Sequence, residues 1–337
     1  MAQIRELPLA IQTNYAELLD QLRIAQRATL GPDVTFRKKT IKGRDYWYAR
    51  GPSEEGKRPE RYLGADTPEL RATIEAKIDA GKSADGRRLI VRSLIAAGLP
   101  APDPTSGAVL KALAEAGAFR LRAVVVGTVA FQMYGGGLGA VFPGAVIRTG
   151  DLDIAQDYGV SGAVDDEVDR PMLEILRAAN PAFRAVPAVE SPLVAKAFAL
   201  PSGFRVDLLT TNRGSERSAS FLRSLRTDAT PLRFLDFLMR DAIEAAALHD
   251  TGVLVKIPQP ARYAIHKLLV ARRRHIGSGK APKDFMQATH LIEILARQDP
   301  FALREAYAEA RGRGPAWREL LDQAVSLLPP TAREALA

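Results

Sequence analysis

The chain contains no cysteine among its 337 residues. This absence excludes disulfides, cysteine-ligated zinc or iron–sulfur sites and catalysis by a thiol, and it is compatible with the cytoplasmic location that we expect. No apolar run approaches the ~20 residues that a membrane-spanning helix needs, and Met1–Glu6 lacks the pattern of a signal peptide. We therefore expect no association with a membrane.

Positive charge exceeds negative charge in this chain. Its 47 lysines and arginines outnumber its 39 acidic residues, which leaves a net charge of +8. A basic balance favours a polyanionic partner, although an arginine-rich composition alone produces the same excess. Hydrophobic residues make up 47% and charged residues 26%, which is ordinary for a globular protein. The length suffices for one large or two to three modest domains.

Three aspartates lie in strand-like surroundings. In Asp151–Ile154, the side chains of a strand alternate between two faces, so Asp151 and Asp153 point the same way. Asp207 lies in a similar apolar run, Phe204–Leu209. Carboxylates on one face repel each other unless a cation lies between them, and Mg²⁺ prefers such oxygen ligands. Although an isolated Asp-x-Asp is also common in exposed loops, we predict that Asp151, Asp153 and Asp207 bind Mg²⁺ (or Mn²⁺) in a two-metal site.

A strand and a helix are predicted upstream of these aspartates. Val124–Val126 is a β-branched run typical of a buried strand, and Gly127 ends it. Thr128 is then placed to cap a helix over Val129–Tyr134. The free N–H groups at the start of a helix that follows a strand suit a triphosphate, so Gly127 and Thr128 become candidate nucleotide-binding residues.

The glycines that follow resemble a dinucleotide-binding turn. Gly135–Ala140 matches the pattern G-x-G-x-x-A. That turn must follow a strand directly and open a helix, whereas the predicted helix comes first here and Phe142-Pro143-Gly144 follows. We therefore predict a flexible loop over Gly135–Gly144, near the active site.

The order of these motifs resembles that of the DNA polymerase β-type nucleotidyltransferase superfamily: an apolar strand, Gly127-Thr128, the pair Asp151 and Asp153, and then Asp207 on a strand. Within the superfamily the chain is most similar to minimal bacterial nucleotidyltransferases, which include AbiEii/MenT-type toxins. The resemblance covers residues 120–209 and extends to about residue 295. It departs from the family in the longer spacing between Gly127 and Asp151, which implies an inserted loop.

The resemblance implies an α+β fold: a mixed-sheet polymerase β-like core, a helical C-terminal domain and a small N-terminal helix and β-meander region. The predicted domains are residues 1–106, 107–213 and 214–337, with the stretch Pro100–Gly107 as a linker. The resemblance also implies that Lys267, on a helix, reaches the triphosphate and that Asp284, on the next helix, supports it. The alternative for these two residues is a solvated helix face.

The resemblance further implies transfer of an NMP from an NTP to an acceptor hydroxyl. We expect the acceptor to be an RNA 3′ end, tRNA first, and a toxin-like role with an unidentified antitoxin would fit. Two alternatives stay open. The acceptor is a protein or a small molecule, or the chain is a non-catalytic nucleic-acid-binding protein on the same fold.

Basic and aromatic residues alternate near the N-terminus, in Phe36–Arg50. The pattern predicts a small β-meander whose cations and aromatic rings suit phosphates and bases. Alternatively, the aromatic residues pack on a helix over Pro68–Ala80 and the cations are only solvated. A second basic group lies on the helix of Lys267. The candidate nucleic-acid contacts are Arg37, Lys38, Lys42, Arg44, Trp47, Arg272, Arg273 and Arg274.

Secondary structure elsewhere follows from apolar spacing and from glycine and proline. Tyr15–Thr29 and Arg87–Ala97 are predicted helices. Leu232–His249 and Val253–Ile257 contain short apolar runs that predict strands. From Ala261 to the end, the pattern is helical.

Overall fold

A computed structural model describes residues 4–27, 35–41, 44–50, 60–143, 149–163, 166–187, 194–212, 219–274 and 279–336. The chain is a mixed α/β protein in which one seven-stranded mixed sheet is surrounded by helices. Among the described residues, none of the helices combines the length and apolar character that crossing a membrane requires.

The N-terminal part contains two long helices and the predicted meander. Its elements are β1 (Arg5–Glu6), α1 (Leu9–Arg27), β2 (Thr35–Ile41), β3 (Arg44–Arg50), β4 (Glu60–Ala65) and α2 (Pro68–Ala96). The antiparallel order β2-β3-β4 confirms the meander. The predicted helices Pro68–Ala80 and Arg87–Ala97 are not separate, because both belong to α2, which is continuous through Gly86. A glycine inside a helix costs only about 1 kcal/mol, which is too little to end it.

The core follows with α3 (Pro104–Glu115), β5 (Val124–Val126), α4 (Gly127–Gly137), β6 (Ala140–Val141), β7 (Asp151–Gln156), α5 (Tyr158–Ala163), α6 (Met172–Ala179), β8 (Arg184–Pro187), β9 (Ala195–Ala199), β10 (Arg205–Thr211), β11 (Ser220–Leu222) and β12 (Thr227–Leu232). The sheet order is β11-β12-β10-β7-β5, with β9 beside β10 and β8 beside β9. Strands β7, β10 and β12 are parallel, and β5 runs antiparallel to β7. The predicted strands Val124–Val126 and Asp151–Ile154 are thus confirmed.

The stretch Pro100–Gly107 is only partly a connection, because α3 begins inside it at Pro104. Asp103 caps this helix by accepting hydrogen bonds from the backbone N–H groups of Thr105 and Ser106 at 3.0 and 3.1 Å. A Cβ on Gly107 would lie 2.2 Å from Nδ1 of His249, so glycine is needed for this close approach. The predicted boundary between residues 106 and 107 falls within α3, and the division into three domains stays a prediction.

The predicted loop over Gly135–Gly144 is wrong over Gly135–Gly137, where α4 continues, and over Ala140–Val141, which form β6. A Cβ on Gly136 would lie 2.1 Å from the ring of Tyr15, and one on Gly135 would lie 2.5 Å from the carbonyl oxygen of Ala140. These two glycines therefore let α1 and β6 pack closely on the helix. Gly144 lies outside the described residues.

The start of α4 also differs from the prediction. The helix begins at Gly127, and Val126 occupies the capping position without a side-chain hydrogen bond. Thr128 therefore lies inside the first turn and does not cap the helix. Its backbone N–H is still one of the first N–H groups of the helix, which have no partner within the helix itself.

The C-terminal part comprises α7 (Leu235–Met239), β13 (Ile243–Ala247), β14 (Val253–Ile257), α8 (Pro260–Arg273), α9 (Lys280–Gln298), α10 (Pro300–Gly312), α11 (Pro315–Val325) and α12 (Pro330–Glu334). Strands β13 and β14 form an antiparallel hairpin. The strand prediction was wrong over Leu235–Met239, which is helical, and right for the hairpin. The predicted run of helices after Ala261 is confirmed.

Candidate active site

The sheet brings the three predicted carboxylates together. Asp207 on β10 lies directly opposite Asp153 on the parallel strand β7, and Arg205 lies opposite Asp151. Along β7 the apolar residues Leu152 and Ile154 are buried in the core, so the aspartates occupy the other face. The alternation read from the sequence therefore places these side chains on one side of the sheet.

Asp153 lies deeper in the protein than Asp151. Burial raises its pKa most, the charges of Asp151 and Asp207 raise it further, and Lys267 and Lys280 lower it, so that the pKa lies at about 6. The arrangement disfavours a negative charge unless additional positive charge is brought to it.

Gly127 forms a cradle for this carboxylate. Its φ is +67°, in the left-handed region that favours glycine, and a Cβ there would lie 2.2 Å from Oδ2 of Asp153. Val126 pairs directly with Asp153 across β5 and β7, which sets the turn against the carboxylate. Any other residue at position 127 would have to displace Asp153 or strain the backbone.

Asp151 lies at the start of β7 beside a lysine of α9. Its hydroxyl partner is Thr149, which donates to Oδ1, and Nζ of Lys280 lies 3.6 Å from Oδ2. Burial raises the pKa of Asp151, but Thr149, Lys280 and Lys283 lower it more, and the net shift is downward. Asp151 therefore stays ionised as the pH falls from neutral to well below neutral.

Asp207 has a cationic neighbour on its own strand. Nε of Arg205 lies 2.8 Å from Oδ1 of Asp207. The two residues are separated by one position on β10, so their side chains share one face of the sheet.

Two helices present the cations that face this cluster. On α8, Nζ of Lys267 lies 2.7 Å from Oδ1 of Asp284, which is 3% exposed and belongs to α9. Nε of Arg274 donates to the other oxygen, Oδ2, of the same carboxylate. Lys267 and Asp284 are thus in contact, and Arg274 completes the pairing of a buried acid with two cations.

Several further residues of the site were not predicted. The hydroxyl of Tyr263 donates to the carbonyl oxygen of Gly127 at 2.7 Å and lies 3.1 Å from Oε1 of Gln287, which joins α8 and α9 to the turn before α4. Lys280 and Lys283 project from the first turn of α9 near Asp151. The sequence could have indicated these two lysines, because both lie within about one helical turn before Asp284.

His266 adjoins Lys267 on α8 without an identified partner. Its Nδ1 is buried and has no hydrogen-bond partner within the described part of the chain. Burial and the charge of Lys267 lower its pKa to about 3. The imidazole is consequently neutral at physiological pH, and it has no place in the carboxylate cluster.

The three predicted arginines at the end of α8 contact three different neighbours. Arg274, which directly follows the helix, contacts Asp284. Nη2 of Arg272 lies 3.3 Å from Oε1 of Gln323, and the guanidinium of Arg273 lies 5.3 Å from the ring centre of Phe234. Both Arg272 and Arg273 are exposed at the surface. Their contact with a nucleic acid stays a prediction.

In the N-terminal sheet, two of the predicted contact residues are tied to acids. Nζ of Lys38 lies 2.7 Å from Asp45 and 2.9 Å from Asp66, and the indole N–H of Trp47 donates to Asp66 at 2.8 Å. Arg37 is exposed. Lys42 lies outside the described residues, as does the side chain of Arg44, whose backbone belongs to β3. Nucleic-acid binding by this sheet stays a prediction.

The donor set of the cluster suits a hard divalent cation, since Asp151, Asp153 and Asp207 offer only carboxylate oxygens. In the described part of the chain, no three histidine or acidic side chains form a group that could hold a metal ion as they stand. Two of the three carboxylates instead contact Arg205 and Lys280, whose side chains are 47% and 67% exposed. Because those cations reach into solvent, they can yield their places. The residues therefore fit a metal by chemistry.

Comparison with protein families agrees with this geometry. The model of a nucleotidyltransferase family matches residues 104–312, from the start of α3 to the end of α10 and more than half of the chain. The chain belongs to this nucleotidyltransferase family. No curated protein and no solved structure matches it significantly.

Proposed function

We propose that the chain moves a nucleoside monophosphate from an NTP to an acceptor hydroxyl at the site of Asp151, Asp153 and Asp207. The observation that carries the proposal is the buried carboxylate of Asp153, which lies against the turn at Gly127 and between two further carboxylates. Lysines of α8 and α9 oppose this cluster. Carboxylate oxygens are ligands for divalent cations, and lysines pair with phosphates.

Asp151, Asp153 and Asp207 would hold Mg²⁺ or Mn²⁺, which supplies positive charge to the phosphates and acidity to the acceptor hydroxyl when bound. Asp153 lies beside the first turn of α4, whose first backbone N–H groups have no partner within the helix itself. The site therefore offers carboxylates for divalent cations and N–H donors for the phosphates of a triphosphate.

The chain's own groups then divide the work of the reaction. Asp207 accepts the proton of the acceptor hydroxyl, and that oxygen attacks the α-phosphorus in line. The bond from the α-phosphorus to its bridging oxygen breaks, and pyrophosphate leaves with the electron pair. Lys267 and the N–H groups of Gly127 and Thr128 neutralise its charge. Lys280 and Lys283 stand at the mouth of the same site and add to that neutralisation.

For the acceptor we propose an RNA 3′ end, tRNA first, in a role similar to that of AbiEii/MenT-type enzymes. The net charge of +8 supports a polyanionic partner. The exposed Arg37 on β2 and the exposed Arg272 and Arg273 on α8 are available for phosphates. If the role is toxin-like, an antitoxin of unknown identity would accompany it.

The test is a labelling assay. The protein is incubated with each labelled NTP, Mg²⁺ and total RNA, and label is expected in the RNA fraction. Asp153→Asn should reduce incorporation more than ~10³-fold, because it removes charge at the reacting phosphates. The matched control is Asp228→Asn, since Asp228 is a half-buried aspartate on β12 of the same sheet.

Label is measured separately in the RNA, protein and small-molecule fractions, which distinguishes the possible acceptors. Label on protein or on a small molecule would contradict RNA as the acceptor and keep the transferase. No label in any fraction, or equal incorporation by wild type and Asp153→Asn, would contradict nucleotidyl transfer at this site.

A further inference from the structure

A cavity of about 1150 Å³ lies at the end of the central sheet away from the three carboxylates. Asp157 and Asn212 line it, and each is the residue that follows the last one of a parallel strand, β7 or β10. Asp157 lies four residues beyond Asp153, which is about 13 Å along an extended chain. The cavity is therefore separate from the candidate active site. Ligands commonly bind beyond the carboxyl ends of parallel strands.

Two cations of this cavity have no acidic partner among the residues that the structure describes. Arg122 precedes β5, and Lys256 lies on β14 beside it. Neither side chain forms an ion pair or a hydrogen bond with the residues that the structure describes. Arg313, by contrast, also lines the cavity and is held by Asp236 and Glu309. Arg122 and Lys256 thus offer positive charge that the fold itself does not use.

Backbone strain is concentrated around the same cavity. Arg122, Phe234 and Asp241 line it, and all three adopt left-handed backbone conformations with φ of 65°, 69° and 55°. A residue with a side chain adopts this conformation only at a cost in free energy. Such strain persists where the surrounding structure holds a residue for a purpose other than local stability, and it clusters at ligand sites.

The aromatic lining gives the cavity a surface for a planar ring. Phe234 and Trp317 line the cavity, are half-buried and contact each other edge to face, with ring centres 4.6 Å apart. A guanidinium lies over each ring, that of Arg273 over Phe234 and that of Arg313 over Trp317. Aromatic rings next to cations suit a ligand that has a planar base and a phosphate. The volume also exceeds what a single small ligand commonly fills.

We propose that this cavity binds a nucleoside monophosphate unit, with the phosphate at Arg122 and Lys256 and the base at Phe234 and Trp317. The unit is either a free nucleotide or the end of a polynucleotide, since the recognised chemistry is the same. The proposal does not depend on the function assigned to the carboxylate site, from which the cavity is separate.

The test is titration calorimetry with AMP in EDTA, which keeps divalent ions from the carboxylates. Arg122→Asn removes the cation and keeps a residue that tolerates a left-handed backbone. Lys256→Gln keeps the side-chain length and removes the charge. Each should weaken AMP binding about tenfold or more, because each removes a charge-assisted contact. Inorganic phosphate and adenosine should each bind more weakly than AMP.

Two control variants locate the signal. Arg226→Asn makes the same change at another left-handed arginine, which lies outside the cavity lining and has φ of 49°. Lys280→Gln removes a cation of the carboxylate site instead. Both should bind AMP like the wild type. A short single-stranded RNA in place of AMP distinguishes the two sources, because tighter binding of the RNA assigns the unit to a polynucleotide end and weaker binding assigns it to a free nucleotide.

The proposal is overturned if AMP does not bind, if phosphate binds as tightly as AMP, or if AMP binding is unchanged in Arg122→Asn and Lys256→Gln. It is also overturned if Lys280→Gln weakens AMP binding as much as those variants do, because AMP would then occupy the carboxylate site. Melting temperatures of all variants verify that each is folded.

Discussion

Asp153 places a carboxyl group where its charge is disfavoured, and this has a measurable cost in the absence of metal. Its pKa is about 6 in the folded protein, compared with an ordinary value of 3.8. The folded state therefore holds this proton more tightly than the unfolded state, so stability falls as pH rises from about 4 to about 6. A difference of two units corresponds to at most about 3 kcal/mol.

Asp153→Asn should consequently melt at a higher temperature than the wild type at pH 8 in EDTA. The difference should become small at pH 4, where the wild-type carboxyl is protonated in the folded state and partly protonated in the unfolded state. Melting curves from pH 4 to pH 8 measure this. Adding Mg²⁺ at pH 8 should then raise the melting temperature of the wild type only. A variant that is no more stable than the wild type at any pH would contradict the burial of a charged carboxylate.

Gly127 offers a second test at the scale of single residues. Gly127→Ala places a methyl group 2.2 Å from Oδ2 of Asp153 and strains a backbone with φ of +67°. We expect a loss of about 1–3 kcal/mol in unfolding free energy and a severe loss of transfer activity, because Asp153 must move. Melting curves and the labelling assay measure the two effects.

The matched control for this variant is Gly203→Ala. Gly203 has φ of +90° and an added Cβ there would contact nothing within 4 Å, so it carries the strain without the contact. Equal losses of activity in the two variants would show that strain alone, and not the contact with Asp153, matters at position 127.

At the scale of elements, α8 and α9 meet through a buried ion pair that has two separable roles. Asp284 is 3% exposed and contacts Lys267 and Arg274. Lys267→Met alone leaves a buried carboxylate short of one cation, which we expect to cost about 3–5 kcal/mol. The double variant Lys267→Met with Asp284→Asn removes the unpaired charge and should recover part of that stability.

The recovery separates structure from function. Use of NTP should stay impaired in the double variant, because the cation proposed for the phosphates is still absent. Melting curves and steady-state kinetics of both single variants and the double variant measure the two quantities. If activity returns together with stability, Lys267 serves only to pair Asp284.

The strands and helices around the candidate site differ in how well the sequence predicts them. Strands β5 and β7 were predictable, because β-branched runs and strict alternation depend on neighbours along the chain. The glycine-rich end of α4 was not predictable from the sequence. Glycine is needed at position 136 because the ring of Tyr15, which lies far away in sequence, packs closely against the helix there. Tyr263 was missed for the same reason, because its partner Gly127 is distant in sequence. Arg205 was missed although its partner Asp207 lies two positions along the same strand. Asp153 and Asp207 could be predicted because each lies in a strand whose alternating apolar residues are neighbours in sequence.

At the scale of the whole molecule, the N-terminal helices and the small sheet between them differ in how they join the rest of the chain. Leu18 and Leu22 of α1 and Leu94 of α2 pack with Ala246 and Leu254 of the β13–β14 hairpin in one buried cluster. None of the described residues of β2, β3 and β4 belongs to either buried cluster of the chain. The helices are therefore part of the core, and the sheet is an attachment to them.

Excision of residues 35–65, with a glycine–serine linker joining the flanks, should leave the fold intact. We expect the melting temperature to change little, because no described core residue is lost. If the sheet holds RNA, affinity for RNA should fall, and the salt dependence of the remaining binding should weaken as phosphate contacts are removed. Binding isotherms at several salt concentrations measure this.

The contrasting variant lacks residues 1–27 and should unfold or aggregate, because it exposes the apolar surface of the hairpin that α1 covers. The hydroxyl of Tyr15, which accepts a hydrogen bond from the N–H of Ala246 at 3.0 Å, is lost with it. A folded protein with unchanged RNA affinity after excision of residues 35–65 would make the sheet a structural appendage. The acceptor would then have to be held by other cations, among which Arg272 and Arg273 are exposed on α8.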